Sequence, residues 1–288
     1  PAPKGGPPGS GQKTPPPPGR GLHPKTMPRR IALTLATAFA LSAPAFAQDP
    51  LRVASYPANP PWENKTEAGT FEGYEVDIVN EIAKRMGTTA EIEGMDFKAL
   101  FVASASGRAD MVISSLTITD ERLESQSFTQ PYFEGALGIG VKEGSDIASV
   151  EGLKGKVVGS VATSFPENWL KERAAEIGYA DYKSYDTTAN MLTDLQTGRI
   201  DAAVNDVVGL RYAATQMKGL TVSHEIVTGE KFAMMMPKGS DKLEQVNQII
   251  SDMKTDGTMA AIYEKWLGVP PAEGRFAVTP MPVPTSAN

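Results

Sequence analysis

Two short polar runs follow apolar stretches of the chain. Ser114-Ser115-Leu116-Thr117 follows Met111-Val112-Ile113, and Asn205-Asp206 follows Ala202-Ala203-Val204. A hydroxyl both donates and accepts hydrogen bonds and an ionised carboxylate only accepts, so these runs suit recognition of a small polar molecule. Other chemistries have few residues to work with. The chain has no Cys and two His, of which only His224 lies beyond the first 47 residues. This excludes disulfides, thiolate nucleophiles, thiolate metal sites and a lipid-modified N-terminal cysteine, and leaves hydrolytic triads nearly without members. No His/Cys spacing suggests a metal, the acidic residues form no calcium-loop pattern, and phosphate-loop and dinucleotide motifs are absent. No metal and no cofactor are expected. A formal net charge of −6 over 288 residues argues against a nucleic-acid partner.

The elements that position these runs alternate between strand and helix, which predicts an α/β fold. Leu51 to Ser55 reads as a strand. Glu75 to Met86 carries apolar residues at helical spacing, with Gly87 as its stop, and Thr88 to Ile92 reads as the next strand. Gly107-Arg108-Ala109-Asp110 is echoed by Gly198-Arg199-Ile200-Asp201, each run following a helical pattern and opening an apolar strand. Leu51-Arg52-Val53-Ala54-Ser55 is echoed by Lys156-Val157-Val158-Gly159-Ser160. Two echoes in the same order predict two lobes of one plan. Polar residues past the ends of parallel strands are where open α/β sheets place ligands, and a cleft between lobes favours a small molecule. Met234-Met235-Met236 reads as core packing in a buried strand.

The first 47 residues stand apart from this plan. Residues 1–26 form a leader: the stretch to residue 28 contains ten Pro and six Gly and has no hydrophobic period. It reads as a disordered, non-native leader from a misassigned start or added residues, the alternative being a functional disordered arm. From Met27, a short basic segment, an apolar run from Ile31 to Leu41 and Ala45-Phe46-Ala47 follow in the order of a secretory signal peptide. The expectation is a signal peptide over 27–47, cleavage before Gln48, and a soluble, extracytoplasmic product that is not a lipoprotein.

Gly73-Tyr74-Glu75-Val76-Asp77-Ile78, followed by Ile82-Ala83 and Met86, resembles the signature of the periplasmic amino-acid-binding proteins, the family 3 solute-binding components of ABC importers. The resemblance extends over most of the chain after residue 47. It takes in Pro60-Pro61-Trp62-Glu63, Ser114 to Arg122, Phe128 to Tyr132, Gly155 to Gly159 and Lys265-Trp266-Leu267-Gly268. It implies the two-lobed, type II periplasmic-binding-protein fold, with the chain crossing twice between lobes that each hold a mostly parallel sheet flanked by helices. Lobe 1 would be 48–136 plus 233–268, lobe 2 would be 137–232, and a Pro-rich tail, 269–288, would lie outside the pattern. Hinge strands are expected near Gly135 to Val141 and Thr228 to Met235.

The resemblance also implies a site. Arg122 would hold the α-carboxylate of an amino acid, since a guanidinium meets a carboxylate with two parallel hydrogen bonds. Asp206 would hold the ammonium. Ser115 and Thr117 would serve the head group, with Ser114 supporting the loop. Thr163, Ser164 and Phe165 occupy the turn that supplies carboxylate-binding N–H groups at a helix start. Thr163 stands where the family often has Gly. Tyr56, Asn59, Trp62 and Phe97 match side-chain-contacting positions. Members selecting basic amino acids often carry Asp at the place of Tyr56, so a neutral ligand is expected. The partners implied are that amino acid and an ABC permease at the inner membrane, for a monomeric protein that is not an enzyme. The alternative is a cyclohexadienyl (arogenate/prephenate) dehydratase on the same fold, with Glu167 or Glu134 as general acid. A receptor sensing domain is a third reading, disfavoured because no transmembrane segment follows Gly268.

Overall fold

Five strands make the first sheet, in the order Ala90–Gly94, Leu51–Ser55, Met111–Ile113, Met235–Pro237 and Gln126–Phe128. Five more make the second, in the order Asp181–Tyr185, Val157–Val161, Ala202–Asp206, Leu137–Lys142 and Leu220–Ile226. In each, the first three strands are parallel and the remaining pairings are antiparallel. This computed structural model describes residues 49–286, all within one compact unit, Phe46–Asn288. The expected leader and signal peptide lie outside the described residues.

The internal echo has a physical cause. Asp110 N–H donates to Arg52 O (2.8 Å) while its carboxylate accepts from Arg52 N–H (3.0 Å). In the second lobe Asp201 N–H donates to Val157 O (2.8 Å) and its carboxylate accepts from Val157 N–H (2.7 Å). The same residue type thus closes the same strand edge in both lobes. The preceding glycines, Gly107 (φ 67°) and Gly198 (φ 75°), take the left-handed conformation that ends a helix cheaply only without a Cβ.

The helices bury one face against the sheets. In Tyr74–Arg85, residues Val76, Ile78, Val79, Ile82 and Ala83 are buried, and they join Met253 and Ile250 of Leu243–Thr255 in the core of the first lobe. Met234, Met235 and Met236 are fully buried, as their apolar run predicted. The strand expected over Thr88 to Ile92 starts later, at Ala90, because Gly87 and Thr88 complete the helix end.

Between the sheets lies a two-stranded antiparallel ribbon, Phe133–Glu134 with Lys231–Phe232. The first strand of this ribbon ends just before the span expected to hold the first hinge strand, Gly135 to Val141. Leu137–Lys142 is instead a strand of the second sheet, hydrogen-bonded on both sides. Its continuous apolar character reflects burial between two neighbours, which sequence alone does not distinguish from a hinge strand.

The C-terminal tail packs back on the first lobe and the ribbon. Phe276 N–H donates to Glu134 Oε1 (3.0 Å) and Met281 N–H to Gln130 Oε1 (2.9 Å). Lys254, itself buried, donates to Thr279 O (3.1 Å), and Ala277 is fully buried. Deleting residues 269–288 strips partners from buried groups at about 1–3 kcal/mol each, so the melting temperature should fall by roughly 4–10 °C. Thermal denaturation of the shortened chain checks this, and an unchanged transition would contradict it.

Candidate functional site

Three helix starts surround one cavity, and each is capped by a residue singled out from sequence or its neighbour. Thr119 Oγ1 accepts from Arg122 N–H (3.2 Å) at the start of Asp120–Ser125, which carries Arg122. Ser164 Oγ accepts from Glu167 N–H (3.3 Å) at the start of Phe165–Glu172. Asp206 Oδ2 accepts from Gly209 N–H (2.6 Å) at the start of Val207–Gln216. Such caps satisfy orphan donors and fix where each chain enters its helix.

The cavity has about 540 Å³ of atom-free space, part of it open to solvent. The first lobe lines it with Tyr56, Asn59, Phe97, Ser114, Ser115, Thr117 and Arg122. The second lobe contributes Leu137, Val161, Ser164, Phe165, Pro166, Thr188, Asn205 and Asp206, and the ribbon contributes Glu230 and Phe232. Two hydrogen bonds beside the cavity join the lobes. Trp62 Nε1 donates to Asp206 Oδ2 (2.8 Å), and Arg122 Nη2 donates to Thr163 O (3.3 Å).

The anionic end is built on Asp206. Oδ2 takes the two donors named above, whereas Oδ1 is buried and has no hydrogen-bond partner among the described residues. Burial pushes this carboxyl up to about 6, against the hydrogen bonds from Trp62 and the Gly209 N–H. An unmet acceptor of this kind suits an ammonium group.

The cationic end is Arg122. Nη1 donates to Thr117 O (2.8 Å), and the guanidinium lies 5.0 Å from the centre of the Phe101 ring. Burial lowers it to about 10, so it stays charged at neutral pH. Thr117 is held in turn by Glu230, whose Oε2 accepts from Thr117 Oγ1 (2.6 Å) and whose Oε1 accepts from Thr228 Oγ1 (2.9 Å). Burial pushes the Glu230 carboxyl up to about 7 despite these bonds.

Among the described residues two non-glycine residues have left-handed backbone, Ser115 (φ 43°) and Thr163 (φ 62°), one on each side of the cleft. Such conformations cost of order 1–3 kcal/mol and cluster at ligand clamps. At Thr163 the strain explains why glycine suits that turn.

Two expected site residues sit elsewhere. Trp62 is fully buried among Tyr74, Phe133 and Phe232 and does not line the cavity; its indole reaches the site only through Asp206. Thr163 does not line it either. Its N–H donates to Glu167 Oε2 (2.6 Å), and Ser164 N–H donates to Val161 O (3.3 Å), so these members of the expected N–H cradle are already engaged. Glu230 and Thr188 line the cavity without having been predicted. Nothing local in the sequence pointed to Glu230, whereas Thr188 follows Thr187, which caps the helix start by accepting from Asn190 N–H.

Neither acid of the dehydratase alternative faces the cavity. Burial would raise Glu167, but bonds from Ser184 Oγ, Thr163 N–H, Lys171 and Tyr182 OH outweigh it and hold the group below the usual range. Glu134 accepts from Phe276 N–H at the tail. Among the described residues no cluster of three or more His, Asp and Glu could hold a metal, and no helix is long and apolar enough to cross a membrane.

The family model described as bacterial extracellular solute-binding proteins, family 3, matches residues 51–269. The chain belongs to this family. Among its relatives, the L-cystine-binding protein TcyJ of Escherichia coli (strain K12) is 33% identical over 217 residues, covering 73% of this chain and 79% of that protein. The histidine-binding periplasmic protein of Escherichia coli (strain K12) is 30% identical over 248 residues, covering 82% and 95%. An ancestral arginine-binding protein, solved with arginine and separately with glutamine, is 38% identical with a TM-score of 0.72, over 76% of this chain and 98% of that one. These neighbours share the two-lobed, type II periplasmic-binding architecture. The tail beyond residue 269 lies outside the matched family region.

Proposed function

We propose that this family 3 solute-binding protein captures a free α-amino acid between its lobes and delivers it to an ABC importer, acting in the periplasm as a monomer after removal of residues 1–47. The lobes, 48–136 plus 233–268 and 137–232, close about the ribbon as a hinge. The observation that carries this reading is the pairing of Arg122 with the unpartnered Asp206 Oδ1 around one cavity. A zwitterion needs both, on opposite sides of its α-carbon. Ser115 and Thr117 lie at the head group, and Tyr56, Asn59 and Phe97 line the side-chain end.

The ligand side chain is neutral, polar or aromatic. Tyr56 and Phe97 offer aromatic surface, and Asn59 uses its Nδ2 on Glu63 (3.1 Å) and Ser115 (3.0 Å). Glu230, pushed up to about 7, supplies no firmly ionised partner for a basic side chain. The relatives named above are binding proteins for cystine, histidine and arginine, which supports an amino acid as the ligand class. A binding role and not catalysis is supported by the family of extracellular solute-binding proteins to which the chain belongs and by the binding proteins named above.

Thermal shift on protein stripped by unfolding and refolding tests this against the common amino acids and L-cystine. Ligand at 100 times its Kd stabilises the native state by about 2.7 kcal/mol. One or a few amino acids should raise the melting temperature. No shift with any of them would contradict the reading.

A further inference from the structure

Beneath the ligand loop lies a pair of carboxyl groups that the binding site does not use directly. Gly73 (φ 142°) brings the segment around Trp62 hard against the start of helix Tyr74–Arg85. A Cβ at Gly73 would sit 2.2 Å from Trp62 O, so only glycine allows the approach. Tyr74 N–H then donates to Pro61 O and Glu75 N–H to Trp62 O, both at 2.9 Å. The clamp brings Glu63 and Glu75 to consecutive residues of the ligand loop, Ser114 and Ser115, and both carboxyls are fully buried. Among the described residues, neither forms an ion pair with Lys, Arg or His.

Their hydrogen bonds are unequal. Glu75 Oε2 accepts from Ser115 N–H (2.8 Å), and Glu75 Oε1 accepts from Tyr132 OH. Glu63 Oε1 accepts from Ser114 Oγ (2.8 Å) and Asn59 Nδ2 (3.1 Å), but Glu63 Oε2 is buried with no donor aimed at it. Two adjacent carboxylates in a dry interior, without a cation, repel strongly, and a bare buried carboxylate oxygen adds a desolvation cost. One proton on Glu63 Oε2, donated to Glu75, removes both problems. Glu75 itself lies in the first turn of a helix, where the N-terminal dipole favours negative charge.

We propose that Glu63 and Glu75 share one proton and together act as positioning residues that hold the strained Ser115 of the ligand loop. Burial, then the Glu75 charge, pushes the Glu63 carboxyl well above the usual carboxylate range. Tyr132, Tyr74 and Tyr56 lie near the pair, and burial pushes each phenol upward, so they stay neutral; Tyr132 donates to Glu75, whereas Tyr74 OH has no hydrogen-bond partner among the described residues. Asp206 is the other charge near the pair; Glu75 adds to its raised state. The positioning role rests on the amino-acid site proposed above, whereas the shared proton does not.

The test uses Glu63→Gln, whose amide N–H replaces the carboxyl donor, and Glu63→Leu, which offers neither donor nor acceptor. Infrared spectra of the ligand-stripped protein at about pH 8.5, where Asp206 and Glu230 are ionised, report a buried protonated carboxyl directly. The wild type should show that band, shifted in deuterium oxide, and Glu63→Gln should lack it. Hydrogen exchange of the segment 111–118 reads the loop. It should be unchanged in Glu63→Gln and faster by about tenfold or more in Glu63→Leu. No carboxyl band in the wild type, its persistence in Glu63→Gln, or equal exchange in Glu63→Leu and wild type would overturn the proposal. Both readouts are taken without ligand, so they stand apart from any failure to find a bound amino acid.

Discussion

Asp206→Asn should abolish measurable amino-acid capture while leaving the fold intact. The lost ammonium–carboxylate contact and the uncompensated cation left in a closed cleft together cost about 3–5 kcal/mol, roughly a hundred- to several-thousandfold in Kd. Asn retains an oxygen to accept from Gly209 N–H and Trp62 Nε1, so the helix cap and the link between lobes survive. Stability should move the opposite way. Burial raises the folded-state carboxyl to about 6, so between the unfolded value and 6 the native state binds the extra proton. Its contribution is therefore lost as pH rises toward 6, and at pH 7 the buried charge costs on the order of 3 kcal/mol. Asp206→Asn without ligand should melt no lower than the wild type at pH 7. Wild-type affinity should be flat above about pH 6 and should weaken by up to about tenfold per unit below it, as protons compete with the ligand ammonium. Titration calorimetry from pH 4.5 to 8, beside melting curves, reads both effects. Normal binding by Asp206→Asn would remove the anionic end of the site.

Arg122→Ala should weaken capture as strongly, again by about a hundredfold or more, because the ligand carboxylate loses its cation in a buried place. Arg122→Lys separates charge from geometry. A lysine keeps the charge but cannot make two parallel bonds, nor hold Thr117 O and Thr163 O together. It should lose about tenfold or more, through faster dissociation, since the contact to Thr163 spans the lobes. Stopped-flow measurement of association and dissociation distinguishes the two variants. An Arg122→Lys protein with wild-type dissociation would show that charge alone matters.

The parts of this arrangement legible in sequence were those with local causes. Gly107 and Gly198 end helices by backbone conformation, and Asp110 and Asp201 close the same strand edge in each lobe, so the doubled plan showed in the residues themselves. Arg122 and Asp206 could be placed through the family resemblance of the loops that carry them, and each proves to lie in or just before the first turn of a helix. The remainder depends on contacts between distant segments. Trp62 resembled a pocket wall, yet the aromatic cluster of Tyr74, Phe133 and Phe232 draws it into the core. Glu230 reaches the cavity through the ribbon pairing of Lys231–Phe232 with Phe133–Glu134, which no periodicity announces. The tail carried no pattern at all, because it is anchored through backbone groups at Thr279, Phe276 and Met281, which any residue type supplies.

The central claim is that the cleft recognises the α-carbon's two charged groups. Calorimetry with the best-bound amino acid of the thermal-shift panel, its des-amino acid and its decarboxylated amine tests that claim most directly. Each analogue should bind about a hundredfold or more weaker than the parent, the first because Asp206 loses its partner and the second because Arg122 does. An analogue lacking either group that binds as tightly as the parent would contradict the account.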